Sequence, residues 1–165
     1  FYRVQGIFQL KEMIDMTLKG IAGLMPLALL MLMAFAIGTV CKQLGTGVYV
    51  ANLSQEWVSP VLVPLAIFLV TCFIAFSTGT SWGTFAIMIP IGIPMAQQAG
   101  LNPEIAIAAV MGGGVFGDHC SPISDTTILS SMASASDHID HVRTQLPYAM
   151  IAGVGAGILY LLCGV

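Results

Sequence analysis

Between Trp57 and Pro103 the chain carries no Asp, Glu, Lys or Arg. A membrane-spanning helix needs about 20 apolar residues, so the stretch from Val58 to Gln98 is too long for one helix. It also lacks a polar loop long enough to leave a membrane. Its one polar interruption is Ser77-Thr78-Gly79-Thr80-Ser81-Trp82-Gly83-Thr84. The apolar arms on either side, Val61–Phe76 and Phe85–Gln97, would be about 24 and 20 Å long as helix, short of a comfortable span. The pattern predicts a re-entrant hairpin with its tip at membrane depth. Irregular backbone is tolerated there only when buried in protein or lining a cavity.

A second interruption follows. Glu104 marks a membrane surface, Ile105 to Gly117 is again uncharged, and then Gly117-Asp118-His119-Cys120-Ser121-Pro122-Ile123-Ser124-Asp125 arrives as a block. Thr126 to Ser136 is uncharged once more. A carboxylate at the bilayer centre costs about 2.5–3.5 kcal/mol on insertion scales, so an acid there marks function by default. The spacing predicts a half-helix over Glu104–Phe116, a break over Gly117–Asp125 and a second half-helix over Thr126–Ala135. Asn102 is expected to cap the first half, with Pro103 at its first position.

Composition agrees with a membrane chain: 57% of residues are hydrophobic and 8% charged, against about 25% charged in a soluble domain. Mean hydropathy is +0.92. No basic cluster suggests nucleic acid, and no nucleophile–base pair or nucleotide loop suggests an enzyme. The four cysteines are widely spaced with no C-x-x-C pair, which fits apolar filler at Cys72 and Cys163 better than disulfides or zinc. Beginning at Phe1 and ending at Val165 inside an apolar run, the chain reads as a fragment of a longer protein.

Two domains follow. Residues 1–19 are a cytoplasmic or interfacial segment, in which Ile7, Leu10, Met13, Ile14 and Leu18 recur at helical spacing; the end of an ordinary cytoplasmic loop is the alternative. Residues 20–165 are the transmembrane domain. Gly20–Val40 is its first spanning helix, ended by Lys42 and the Gly45-Thr46-Gly47 turn. Val48–Glu56 is a loop or short helix with Trp57 as interfacial anchor. Asp137–Leu146 is a surface loop, and Pro147–Val165 is the last span, with Gly153 and Gly157 spaced for close packing. Arg3, Lys11, Lys19 and Arg143 against Lys42 place Phe1–Lys19 and Asp137–Leu146 in the cytoplasm, so the hairpin enters from outside.

A hairpin tip beside a helix broken at mid-membrane is the pattern of inverted-repeat secondary transporters. The candidate ion-binding oxygens are those of Asp118, Asp125, Ser121, Ser124, Thr126, Ser77, Thr78, Thr80 and Ser81. Asp118, at the negative end of the first half-helix, needs a cation or a proton and ranks first; the alternative is a buried protonated Asp hydrogen-bonded to the hairpin. An N-cap role would also explain Asp125. The hydroxyls of the tip and of Ser121 and Ser124 could equally satisfy unwound backbone. His119 is a candidate proton relay, or a neutral His holding a structural hydrogen bond. Asp137, His138, Asp140 and His141 have the composition of a metal site, but a solvated loop explains them better.

Gly117-Asp118-His119-Cys120-Ser121-Pro122-Ile123-Ser124-Asp125-Thr126-Thr127 resembles the signature of NhaC-type Na+/H+ antiporters: Gly-Asp, two variable residues, Ser-Pro, a hydrophobic residue, Ser-Asp-Thr-Thr. The Ser77–Thr84 stretch is similar to that family's Ser/Thr/Gly/Trp segment, and the likeness runs from Gly20 onward. Position 119 departs from forms with a Lys there. The resemblance implies one of two inverted repeats, here the C-terminal one, whose partner is the N-terminal half of the same transporter. It also implies relatives that exchange organic acids or amino acids.

The expected protein is therefore an all-α membrane protein of the bacterial cytoplasmic membrane, a secondary antiporter exchanging Na+ for H+. Na+ and H+ are its transported ions and no cofactor is expected. Its partners are the bilayer, the N-terminal half and a second copy in a homodimer. The alternatives are a cation-coupled organic-acid or amino-acid transporter, an ion channel and a non-transporting membrane scaffold. No Arg stands ready to clamp a carboxylate, which favours the ion-only reading.

Overall fold

In the computed structural model the described residues are 5–55 and 57–164, without the side chains of 26, 27, 30, 31, 34, 54 and 55. Arg3, Glu56 and Val165, used above for orientation and boundaries, lie outside them. Among the described residues every regular element is helical: α1 Leu10–Gln43, α2 Thr46–Gln55, a 3-10 turn Pro60–Leu62, α3 Val63–Thr78, α4 Ser81–Gln98, α5 Pro103–Cys120, α6 Asp125–Ala133 and α7 His138–Cys163. Two of these stretches are long and apolar enough to cross a membrane by length and composition, Pro60–Thr78 and His138–Cys163.

The chain divides into two compact units, residues 1–33 and 34–165. The first consists largely of the opening turns of α1. α1 runs unbroken from Leu10 to Gln43, across the expected boundary at Gly20. The helix passes Lys42 and ends at a turn in which Gly45 takes φ 66°. Thr46 and Gly47 open α2 instead of forming that turn.

The second unit is built around α3, α4 and α5. Its buried centre holds Val63, Ile67, Phe68, Cys72, Met88, Ala96, Ala106, Ala109 and Val110. α3 and α5 run parallel in a fixed register. A Cβ on Gly113 would meet the Phe68 carbonyl, one on Gly117 would meet the Cys72 carbonyl, and Ser121 Oγ donates to the Phe76 carbonyl at 2.7 Å. Three contacts, each advanced four residues along both helices, describe a stripe of small residues that brings two backbones together. α7 packs on both α3 and α5, with the Tyr160 ring 5.1 Å from that of Phe68, Gly153 against the Phe116 ring and Tyr160 donating to the Ala108 carbonyl at 2.8 Å. Gly153, expected to pack helices, does so within this chain.

The helix boundaries correct three expectations. The hairpin tip is two residues, 79–80, rather than the eight from Ser77 to Thr84. Ser77, Thr78 and Thr84 stay helical because their hydroxyls donate to the carbonyls four residues back, Phe73, Ile74 and Thr80, each at 2.8 Å. A hydroxyl paired in this way adds no unsatisfied group to an apolar surrounding. The break after α5 is four residues, 121–124, rather than the nine from Gly117 to Asp125. A residue before Pro is pushed out of helical geometry, so α5 continues through Asp118 and stops where Ser121, before Pro122, turns extended at φ −80°, ψ 127°. The segment Asp137–Leu146 is helix rather than loop, since Asp137 caps α7 by accepting from the amides of Ile139 and Asp140 at 2.9 and 3.1 Å. Asn102 caps α5 as expected, accepting from the Glu104 amide at 3.0 Å.

Candidate functional site

The tip of the α3–α4 hairpin sits against the break between α5 and α6. Gly79 ends α3 in the left-handed conformation, φ 67° and ψ 25°, and a Cβ there would press on the Ile123 carbonyl. Glycine is required on both counts. Its own carbonyl accepts from the Asp125 amide at 3.2 Å. Ser121, fully buried, ties the other end of the break to α3 through the Phe76 carbonyl.

Asp118 occupies the last turn of α5 with 1% of its surface exposed. Ser124 Oγ donates to its Oδ1 at 2.8 Å, and Thr126 Oγ1 donates to its Oδ2 at 2.7 Å. Ser124 Oγ and Thr126 Oγ1 lie 2.9 Å apart, closing a ring of oxygens from three side chains. Ser124 is also the N-cap of α6, accepting from the Thr127 amide at 3.2 Å. The capping role considered for Asp125 therefore belongs to Ser124, and Asp125 is the first residue of α6. Asp118 bonds the start of α6, not the hairpin.

Two buried oxygens beside this ring have no hydrogen-bond partner among the described residues, Asp125 Oδ1 and Thr80 Oγ1. Thr80 follows Gly79 in the chain, and Asp125 is the residue whose amide bonds the Gly79 carbonyl. Ser81, buried at 8% exposure, begins α4 next to Thr80. An unpaired buried oxygen costs about 1–3 kcal/mol, so a pair at one junction is an arrangement that a cation or proton would relieve.

The remaining candidates stand apart. Ser77 and Thr78 are exposed and spend their hydroxyls on their own helix. His119 is exposed, its Nδ1 lies 2.8 Å from the Val115 carbonyl, and it lines a cavity of about 460 Å³ beside Phe116 and Ala152 of α7. No hydrogen bond joins it to Asp118, so the structure does not bring the expected relay into the ring. His138 was set aside above as part of a solvated loop, yet it joins the break. Its Nε2 lies 2.6 Å from the Pro122 carbonyl and its Nδ1 lies 3.2 Å from Ser131 Oγ. Composition alone concealed this. The capping signal at Asp137, which turns the segment into helix, was the available clue.

Comparison with known proteins agrees with the motif. The model of the Na+/H+ antiporter family matches residues 2–165. An uncharacterized protein of Haemophilus influenzae is 41% identical over 156 residues, covering 93% of this chain and 30% of that protein. A malate-2H(+)/Na(+)-lactate antiporter of Bacillus subtilis is 33% identical over 109 residues, covering 66% and 23%. The Na(+)/H(+) antiporter NhaC of Alkalihalophilus pseudofirmus is 30% identical over 148 residues, covering 86% and 30%. The chain thus spans about a third or less of the length of these relatives. No solved structure matches. The chain belongs to the Na+/H+ antiporter family, a family of membrane transport proteins.

Proposed function

We propose that this chain is the ion-exchanging half of a Na+/H+ antiporter of the bacterial cell membrane, with Na+ and H+ competing for the carboxylates of Asp118 and Asp125. The observation that carries the reading is the oxygen ring of Asp118, Ser124 and Thr126 beside the unpaired Asp125 Oδ1 and Thr80 Oγ1. Ser124 and Thr126 both donate to Asp118, and a proton taken up by Asp118 would reverse one of these bonds and leave that hydroxyl free to donate to the other. A proton leaving the ring leaves a carboxylate and two hydroxyl oxygens facing one another. With Asp125, Thr80 and Ser81 these form the hard oxygen set that a sodium ion takes. Occupation of one site by either ion, but not both, gives exchange when the site opens alternately to the two sides.

In this reading α3 and α4 form a re-entrant hairpin entering from outside, and α5 with α6 forms the broken helix of a C-terminal inverted repeat. The N-terminal half of the same protein completes the cavity. The organic-acid alternative, suggested by the name of the Bacillus subtilis relative, would place an anion at the start of α6. There the amides of Asp125, Thr127 and Ile128 are already taken by Gly79 and Ser124, and two carboxylates stand beside them, which favours a cation.

The test is counterflow in liposomes containing the complete protein, with Na+, Li+, K+, malate and lactate offered in turn. Sodium-dependent proton movement that is unaffected by organic acids supports the reading. Exchange that requires malate or lactate overturns it, and passive voltage-driven flux without a counter-ion would identify a channel.

A further inference from the structure

α4 carries two prolines in its interior, Pro90 and Pro94. Proline has no amide hydrogen, so each deprives the carbonyl four residues back of its usual helical partner. The carbonyls concerned are those of Ala86 and Pro90. In a membrane such a carbonyl is tolerated where a neighbouring helix covers it.

Both are covered, and each by a glycine. A Cβ on Gly38 of α1 would meet the Ala86 carbonyl, and one on Gly47 of α2 would meet the Pro90 carbonyl. Both glycines are buried. The hydrogen that stands in place of each Cβ therefore points at an oxygen that proline has freed. A weak Cα–H···O contact replaces a strong amide bond. Gly47 also lies against the Pro94 ring, whose Cγ is 3.1 Å from the Cβ position. The same pairing of a proline-freed carbonyl with a glycine thus occurs twice, on two different helices.

The other arm of the hairpin is held differently. The prolines of the α3 arm, Pro60 and Pro64, stand at its start. Beyond them α3 meets the α5 backbone at Gly113, Gly117 and Ser121 with its own helical ladder free of proline. α4 meets its neighbours there through side chains: the Phe85 ring lies on Gly114, and Val110 and Ile67 lie over Gly92.

We propose that Pro90 and Pro94 joint α4 and act as positioning residues for the hairpin tip. Residues 81–89, which carry the tip, pivot on the half that ends beyond the buried Ala96. Gly38 and Gly47 keep the freed carbonyls covered at the pivot. A bend at proline breaks no further helical bond. α3 keeps its register on α5 while the other arm moves Thr80 and Ser81 relative to the break. The joint serves whichever solute the protein carries, so it stands or falls separately from the ion assignment above.

The test uses the complete protein in lipid, with spin-label pairs at Trp82 and Tyr148 and, as a control, at Gln97 and Tyr148, all exposed positions. Distances are read without added solute and with Na+, malate or lactate. The Trp82 pair should show two distances whose populations shift with the carried solute, and the Gln97 pair one. In Pro90→Ala and Pro94→Ala the restored amide closes the ladder. The two distances should collapse to one and turnover should fall by about tenfold, while KM stays unchanged and the thermal midpoint holds or rises. A single Trp82 distance in the wild type under all conditions overturns the joint, as does wild-type turnover in both proline variants. A joint that responds to malate or lactate but not to Na+ would support the pivot and overturn the ion assignment alone.

Discussion

The Asp125 amide donates to the Gly79 carbonyl at 3.2 Å, joining two interruptions that lie almost fifty residues apart in the chain. This bond and the Ser121–Phe76 bond hold the hairpin tip against the break from both ends. The two unpaired oxygens, Thr80 Oγ1 and Asp125 Oδ1, belong to the residue after Gly79 and to the residue that donates to it.

Asp118→Asn should reduce sodium-dependent proton movement to the level of empty liposomes while insertion and yield stay normal. The amide retains shape and can donate where the protonated acid did, so the ring survives but its proton can no longer leave. Near-normal exchange at matched protein amounts would remove Asp118 from the mechanism.

Asp125→Asn should act differently. The backbone bond to Gly79 remains, and the side chain keeps an oxygen but loses its charge. The apparent KM for Na+ should rise by about tenfold or more, since a hydrogen-bonded or ion-paired charge contributes about 1.5–3 kcal/mol. An unchanged KM in fluorescence-dequenching titrations would assign Asp125 to structure.

Gly117→Val should destabilise the packing of α3 on α5. The new side chain would meet the Cys72 carbonyl, with the Ala75 side chain and the Phe76 amide both 2.9 Å from its Cβ. Backbone cannot move aside as a side-chain end can, so the cost should reach or exceed the usual 1–3 kcal/mol of overpacking. A thermal unfolding midpoint in detergent equal to that of the wild type would argue against the parallel register.

Gly79→Ala combines a positive φ, costing about 1–2 kcal/mol, with pressure on the Ile123 carbonyl. Exchange should fall with stability, because the same residue ends α3 and receives the Asp125 amide. Ser77→Ala, whose hydroxyl serves only its own helix, should leave KM for Na+ unchanged. A loss of affinity there would restore Ser77 to the ion site.

The 165-residue chain alone should insert without transporting, whereas a longer chain carrying the proposed N-terminal half should transport. The reading requires polar groups from both halves around the ring. Saturable exchange by the short chain would show that it completes a site by association with itself.

Membrane class and the helical fold followed from sequence because they depend on composition along the chain. Long uncharged runs admit few folds in lipid, and acids inside them are costly enough to mark themselves. Helix ends were less legible. The Ser/Thr-rich tip looked unwound, yet back-bonded hydroxyls keep all but two of its residues helical. The block from Gly117 looked unwound as a whole, yet only the residue before Pro122 stops α5. Which oxygens meet was decided by tertiary structure alone. The four-residue register of Phe68, Cys72 and Phe76 on Gly113, Gly117 and Ser121 brings the tip to the break, and the Asp137 cap starts α7 where His138 can reach Pro122. Sequence names the groups that lipid makes expensive to bury, but only the packing of one helix on another settles which of them become partners and which remain unpaired.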